Sequence, residues 1–135
     1  MDTVAGYPVR QPYPGEDDFF RKNPTVAGMA GEDDAITLNP YSNLTKEQQS
    51  AVALNEAVRL YLRKSKLDPD FKIEPTQTKL FADYEKSGIP GEREAKDVRA
   101  TIIGRLISGD ESAGPYTAEQ RKAAEIVARR MGLRK

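Results

Sequence analysis

Cysteine and histidine are both missing from this 135-residue chain. Their absence excludes disulfide bonds, thiolate nucleophiles, imidazole bases and the usual zinc and haem ligands. The sequence also contains neither of the common glycine-rich phosphate loops, GxxxxGKS/T and GxGxxG. We therefore expect no bound cofactor, and any catalysis would have to depend on carboxylates.

Long apolar runs are missing as well. No stretch of about 18 consecutive apolar residues occurs, and the first residues, MDTV, do not start a basic segment followed by an apolar one. We expect an intracellular, soluble protein with no membrane partner. Alternating Val, Ile and Thr runs of useful length are also missing, so the sequence does not predict β-strands.

Charge is balanced over the whole chain but not along it. The 21 basic and 21 acidic residues cancel, which argues against a strong general attraction to nucleic acid. Residues 1–40 carry seven acidic and three basic side chains, whereas the C-terminal residues 121–135 are mainly basic. An acidic start and a basic end can attract each other within one molecule or between copies.

The first third of the chain is rich in residues that interrupt regular structure. Residues 1–44 hold five of the nine prolines and four of the ten glycines. Proline lacks an amide proton and favours extended backbone before it, so a long helix or a central strand is not expected here. From Asp17 to Lys22, acidic residues precede basic ones, as the helix dipole favours. We predict an extended acidic arm over 1–44 with one or two helical turns.

Helical patterns dominate from residue 45 onward. Thr45 with Gln48, and Thr117 with Gln120, have the spacing of a capping box. Apolar stripes predict helices at about 45–65, 75–88, 95–108 and 118–131. The stripe of the first consists of Ala51, Leu54, Val58, Tyr61 and Leu62, and that of the third of Val98, Ile102, Ile103, Leu106 and Ile107. We predict an all-α fold, a small bundle of about four helices in a 45–135 domain that follows the arm.

The tetrapeptide Gly-Glu-Asp-Asp occurs twice, at residues 15–18 and 31–34. A calcium-binding EF-hand loop needs ligands at alternating positions, an internal glycine and a twelfth-position glutamate, and neither segment has them. The first copy is typical of a helix start, and the second leaves a partner-facing role open. Glycosidase-type chemistry needs two carboxylates at a fixed separation, and no pair stands out. We predict no metal site, no catalytic residues and no enzymatic activity.

The serine in Gly109-Asp-Glu-Ser-Ala-Gly114 is the remaining candidate nucleophile. A nucleophile elbow has Gly-x-Ser-x-Gly between a strand and a helix and depends on a histidine base. Here Asp110 takes the place of the first glycine, and the chain has no histidine. We interpret this segment as a turn between two helices.

Apolar residues in the arm offer candidate contacts for a partner. An irregular segment cannot bury adjacent aromatic rings by itself, and each buried ring contributes about 1.5–3 kcal/mol. A disordered, solvated tail is the alternative. The predicted partner-binding anchors are Phe19, Phe20, Ile36, Leu38 and Tyr41. Arg129 and Arg130 are the predicted cations to which the acidic segments bind.

Two segments carry a resemblance to a known group of proteins. PGEDDFFRKNPTVAGMAGEDDAITLNPYSNLTKEQQ and DVRATIIGRLISGDESAGPYTAEQ resemble a family of small uncharacterised proteins encoded by tailed bacteriophages. The resemblance covers most of the chain and implies a phage protein, with a place in the virion and in the host cytoplasm during assembly. It implies no catalytic residues.

These observations leave three functional hypotheses. The first is a virion-associated structural protein, such as a minor capsid, cement or connector-type component, that binds other virion proteins and copies of itself and does not bind nucleic acid. The second is a phage regulatory or host-takeover protein that binds DNA or a host protein through its basic C-terminal helix. The third is an enzyme such as a muramidase.

Overall fold

The computed structural model describes residues 3–67, 71–72, 95–109 and 115–133. It divides into two compact units, Met1–Leu60 and Tyr61–Lys135. The predicted helix at 75–88 and the loop at 110–114 lie outside the described residues. In the described part of the chain, no helix is long and apolar enough to cross a membrane.

The first unit combines two small sheets with helices. Strands β1 (Thr3–Val4) and β2 (Tyr7–Pro8) form one antiparallel pair, and β3 (Gly28–Ala30) and β4 (Ile36–Leu38) form another. Helix α1 (Pro14–Lys22) lies between the two pairs in the chain, and α2 (Lys46–Ser65) follows them. Ala5 and Gly6 both have positive φ, as a tight hairpin between β1 and β2 requires.

The prediction of an all-α fold is wrong, because two antiparallel two-stranded sheets accompany the helices. Their strands are only two or three residues long, so an alternating pattern has no room to develop. Pro8 is tolerated in β2 because both strands of a two-stranded sheet are edge strands, where proline is found. The segment predicted as an irregular arm therefore contains four strands and a nine-residue helix.

The core of the first unit joins β4 to α2. Ile36 is fully buried in a cluster with Ala53, Ala57 and Leu60, which follow one another at helical spacing along α2. Side chains from all four strands and the residues beside them complete the cluster: Val4, Ala5, Tyr7, Val9, Ala30 and Leu38. The first unit ends at Leu60, inside α2. The sequence predicts this boundary before the helix, between residues 44 and 45.

Asn39 organises the chain around the end of α1. Its buried amide donates to the carbonyl oxygens of Val26, Asn23 and Phe20 at 2.7, 3.2 and 3.4 Å, and its side-chain oxygen accepts from the amide of Tyr41. Buried carbonyl groups need such partners, because an unsatisfied one costs about 1–3 kcal/mol. One side chain thus satisfies several backbone groups of an irregular segment.

The second unit contains α3 (Ala95–Ser108) and α4 (Ala118–Arg130). Ile102, Ile103 and Ile107 of α3 are buried as predicted, and Val127 and Ala128 of α4 are also buried. The capping box at the start of α4 is confirmed. The backbone N–H of Gln120 donates to the Thr117 hydroxyl, and the side-chain oxygen of Gln120 accepts from the backbone N–H of Thr117. Gln120 also donates from Nε2 to the Lys72 carbonyl oxygen at 3.0 Å.

Helix α4 ends in a Schellman motif. Gly132 has a φ of +78°, its amide donates to the carbonyl oxygen of Arg129 at 3.0 Å, and the amide of Leu133 donates to that of Ala128 at 2.9 Å. Glycine adopts this left-handed backbone without the steric cost of a side chain. The motif fixes where the basic helix ends.

Gly28 lets β3 approach both β4 and α2. A Cβ atom at this position would lie 2.8 Å from the Thr37 carbonyl oxygen and 3.0 Å from Val52 Cγ1. We expect Gly28→Ala to lower the free energy of unfolding by about 1–3 kcal/mol, because the backbone has to shift to admit the methyl group. Chemical denaturation monitored by circular dichroism measures this. Gly15→Ala is the control, since a Cβ there meets nothing within 4 Å; equal stability of the two variants would contradict the prediction.

Candidate functional site

The predicted partner-binding residues differ in how far they are buried. Phe20 and Ile36 are fully buried within the chain, and Phe19 and Leu38 are half-buried. Phe20 and Ile36 are therefore inaccessible to a partner in this conformation. These two residues, which we predicted to bury their side chains on a partner, bury them instead within their own chain.

The other predicted residues are at the surface. Tyr41 is 44% exposed, and its hydroxyl donates to Asp17 Oδ2 at 2.9 Å, which raises the pKa of the tyrosine. Arg129 and Arg130 are exposed, and Arg129 Nε lies 3.2 Å from Glu125 Oε1 within α4. Of the seven predicted residues, these three are the ones that expose large side chains.

Arg10 joins the two Gly-Glu-Asp-Asp segments. Its guanidinium donates to Glu16 of the first segment, with Nη1 to Oε1 at 2.7 Å, and to Asp33 of the second, with Nε to Oδ2 at 2.9 Å. Nη2 adds contacts to both carboxylates at 3.1 and 3.2 Å. The ring of Tyr13 lies 3.8 Å from the guanidinium carbon, which places a cation against an aromatic face. We call Arg10, Tyr13, Glu16 and Asp33 the arginine clamp.

The two acidic segments also have separate local roles. Glu16 Oε1 accepts from the Tyr13 amide at the start of α1, while Arg21 and Lys22 at its end pair with Asp18. The helix-start interpretation of the first segment is therefore confirmed. The second segment forms the turn between β3 and β4, where Asp34 adopts a positive φ. Sequence reasoning missed the clamp because Arg10 lies outside both repeats.

The clamp changes the acid strength of its three charged residues, Arg10, Glu16 and Asp33. Hydrogen bonds from Arg10 hold the pKa of Glu16 and that of Asp33 below their usual values, since the carboxylate is stabilised by the adjacent cation. The same contacts raise the pKa of Arg10. The Arg10 side chain is 19% exposed, so it is shielded from water more than the paired cations Arg21, Lys22 and Arg129. Arg10, Glu16 and Asp33 are therefore all charged at neutral pH.

A shallow concavity of about 400 Å³ lies beside the clamp. Its apolar lining comes from Met29, Ala30 and the ring of Tyr13, which is 56% exposed. Three carboxylates and one guanidinium line it too, so its charge is negative. We call this surface the acidic concavity; it is lined by Arg10, Tyr13, Glu16, Met29, Ala30, Gly31, Glu32 and Asp33.

A second surface lies on α4 and has the opposite charge. Ile126 is 48% exposed, and Lys122 and Arg130 are one turn away on either side, with Arg129 three positions along. Leu133, after the end of the helix, is also exposed. We call these five residues the basic face of α4. Within residues 3–67, 71–72, 95–109 and 115–133, no group of three potential ligands is placed to hold a metal ion.

No family model matches this sequence, and no curated protein or solved structure is significantly similar to it. The functional conclusion therefore depends on these two surfaces and on the sequence resemblance.

The clamp makes stability depend on pH. We expect Arg10→Met to lower the free energy of unfolding at pH 7 by about 1–2 kcal/mol, because Glu16 loses its charged hydrogen-bond donor. A carboxylate with a lowered folded-state pKa stabilises the fold above its unfolded-state pKa of about 4, and this stabilisation is lost as the pH falls through the folded-state value. The difference between the two proteins should therefore shrink below about pH 4.

Denaturant titrations between about pH 3 and pH 7 measure this difference. Arg21→Met is the matched control, since it breaks an ion pair with Asp18 in which both side chains are largely solvent-exposed. That variant should show a much smaller loss. A difference between wild type and Arg10→Met that stays constant over the whole pH range would show that the ion pairs of Arg10 do not stabilise the fold.

Proposed function

We propose that this protein is a noncatalytic structural component of a tailed-phage particle, such as a minor capsid, cement or connector-type protein. The observation that carries this proposal is the basic face of α4, where Ile126 is half exposed among cations. A single exposed apolar residue is ordinary. Here Ile126 and Leu133 are exposed at the same end of the helix with Arg129 and Arg130, and arginine is enriched in protein interfaces.

The phage assignment depends on the resemblance of the two quoted segments to small phage proteins. The composition supports a noncatalytic role, because the chain lacks the cysteine and histidine on which most nucleophilic and general-base sites depend. The acidic concavity supports binding to a protein, since it combines apolar lining with a charged rim. Two of its carboxylates, Glu16 and Asp33, accept hydrogen bonds from Arg10, which hold their pKa values below the usual range, so these two are not poised as acids near neutral pH.

The protein docks through folded surfaces and not through an extended arm, because residues 1–44 contain strands and a helix. Removing residues 1–40 would take Ile36 out of the cluster that contains Ala53, Ala57 and Leu60. Such a truncation would expose the buried side of α2 and would test folding more than assembly. Point substitutions at exposed residues are therefore the appropriate probes.

Quantitative mass spectrometry of purified particles of the encoding phage tests the proposal. We expect a fixed number of copies per particle for the wild-type chain. Ile126→Asp should reduce incorporation by at least about tenfold, since a charge would replace the apolar centre of the basic face. Ala118→Asp, at an exposed position in the first turn of the same helix, should incorporate normally. Absence of the wild-type chain from particles would refute the proposal.

A second candidate is a regulatory or host-takeover protein that binds DNA through the basic face of α4. Lys122, Arg129 and Arg130 on one side of a helix favour it, since cations so placed can contact phosphates. Three phosphate contacts predict that the logarithm of the binding constant falls with that of salt concentration with a slope of about −3. Fluorescence anisotropy with a labelled duplex measures this slope. No binding at low salt would exclude this candidate.

A further inference from the structure

We infer that the basic face of α4 in one copy docks on the acidic concavity of a second copy, so that the protein associates head to tail. This inference rests on the proposed function and names the partner: another copy of the same chain. The two surfaces belong to different units, one formed by residues 10–33 and the other by residues 122–133. A contact between two different surfaces is heterologous, so repetition produces a ring or an open chain of copies.

Charge is the first argument for this pairing. Glu16, Glu32 and Asp33 line the concavity against the single cation Arg10, which is already shared by Glu16 and Asp33. Glu32 is exposed at the turn between β3 and β4. The basic face of α4 carries three cations, of which one pairs with Glu125. Opposite charges on two surfaces favour and orient their encounter.

The apolar groups of the two surfaces also correspond. Met29 and Ala30 line the concavity, and the exposed ring of Tyr13 forms part of its wall. The basic face of α4 offers Ile126 between Lys122 and Arg130. An open concavity of about 400 Å³ admits an aliphatic side chain such as that of Ile126. In the docked arrangement, Ile126 contacts the apolar lining while the neighbouring cations approach the carboxylates at the rim.

A second copy is the occupant because one chain supplies both halves of this match. The acidic start and basic end predicted from the sequence correspond to a concavity and a helix face in the folded units. The basic face of α4 would be less well matched by a surface of phosphates, which offers charge but no apolar lining for Ile126. Nucleic acid is therefore the alternative partner, and nuclease treatment distinguishes it from a second copy.

Sedimentation velocity of the full-length protein tests the inference. From about 1 µM to about 1 mM, we expect the average sedimentation coefficient to rise with concentration at about 50 mM salt, and to rise much less at about 500 mM, where the Debye length is short. A monomer throughout this range at low salt would overturn the inference. Loss of association after nuclease treatment would also overturn it, because nucleic acid would then be bridging the copies.

Charge-reversal variants locate the contact. The double variant Arg129→Glu with Arg130→Glu should weaken association by at least about tenfold at low salt. The matched control is Arg63→Glu with Lys64→Glu, which changes the net charge equally and also in the last turn of a helix, α2. This control should associate as the wild type does. Undiminished association of the α4 variant, or equal weakening of both variants, would overturn the inference.

A mixing experiment tests complementarity directly. Glu32→Lys places a cation on the rim of the concavity and should weaken self-association. Mixing it with the Arg129→Glu, Arg130→Glu variant brings an acidic helix end to a more basic rim, so the mixture should form larger species than either variant alone. Absence of this recovery, with both variants folded by circular dichroism, would overturn the pairing.

The result is independent of the particle experiment. A chain that is present in virions but remains monomeric in isolation would refute head-to-tail docking and leave the structural role intact. A chain that associates as described but is absent from virions would refute the structural role and leave the docking intact.

Ile126→Asp should weaken association at both salt concentrations, because its effect does not depend only on charge attraction.

Discussion

The arginine clamp is the interaction on which the first unit depends. Arg10 connects the segment after β2 to the start of α1 through Glu16, and to the turn between β3 and β4 through Asp33. These segments are short and lack long hydrophobic stripes of their own. A shared cation brings two carboxylates together that would otherwise repel each other. The concavity beside the clamp exists because these three parts of the chain meet there.

The clamp works together with an apolar contact made by β4. Ile36 packs on the alanines of α2, and the amide of Arg10 donates to the carbonyl oxygen of Ile36 at 2.9 Å. Backbone pairing and side-chain burial thus both act on Ile36, and charge acts on Asp33 in the turn just before this strand. Such agreement between local and long-range interactions favours a single ordered arrangement. It also explains how a segment rich in proline and glycine can be compact.

Sequence reasoning succeeded where the pattern was long and local. Both Thr-x-x-Gln capping boxes are present, α2, α3 and α4 begin and end within a residue or so of the predicted positions, and the isoleucines of α3 are buried. It failed where the deciding contacts join distant residues. Arg10 and Asp33 are 23 positions apart, and nothing local marks them as partners. On α2, Val58 and Leu62 of the predicted stripe are buried, but Ala51, Leu54 and Tyr61 are half-buried. Ala53 and Ala57 are buried although the predicted stripe omitted them, because alanine is too weakly apolar to mark a buried position in the sequence.

Gln120 has a consequence for the far end of its helix. Because this buried side chain both caps α4 and donates to the Lys72 backbone, the rotation of the helix about its own axis is set at its first turn. At about 100° per residue, six residues later Ile126 has turned by about 240° from Gln120 and so points away from the buried direction. The direction in which the exposed cations point is thus determined about three turns before the helix ends, by the side-chain amide of Gln120 and the carbonyl group of Lys72.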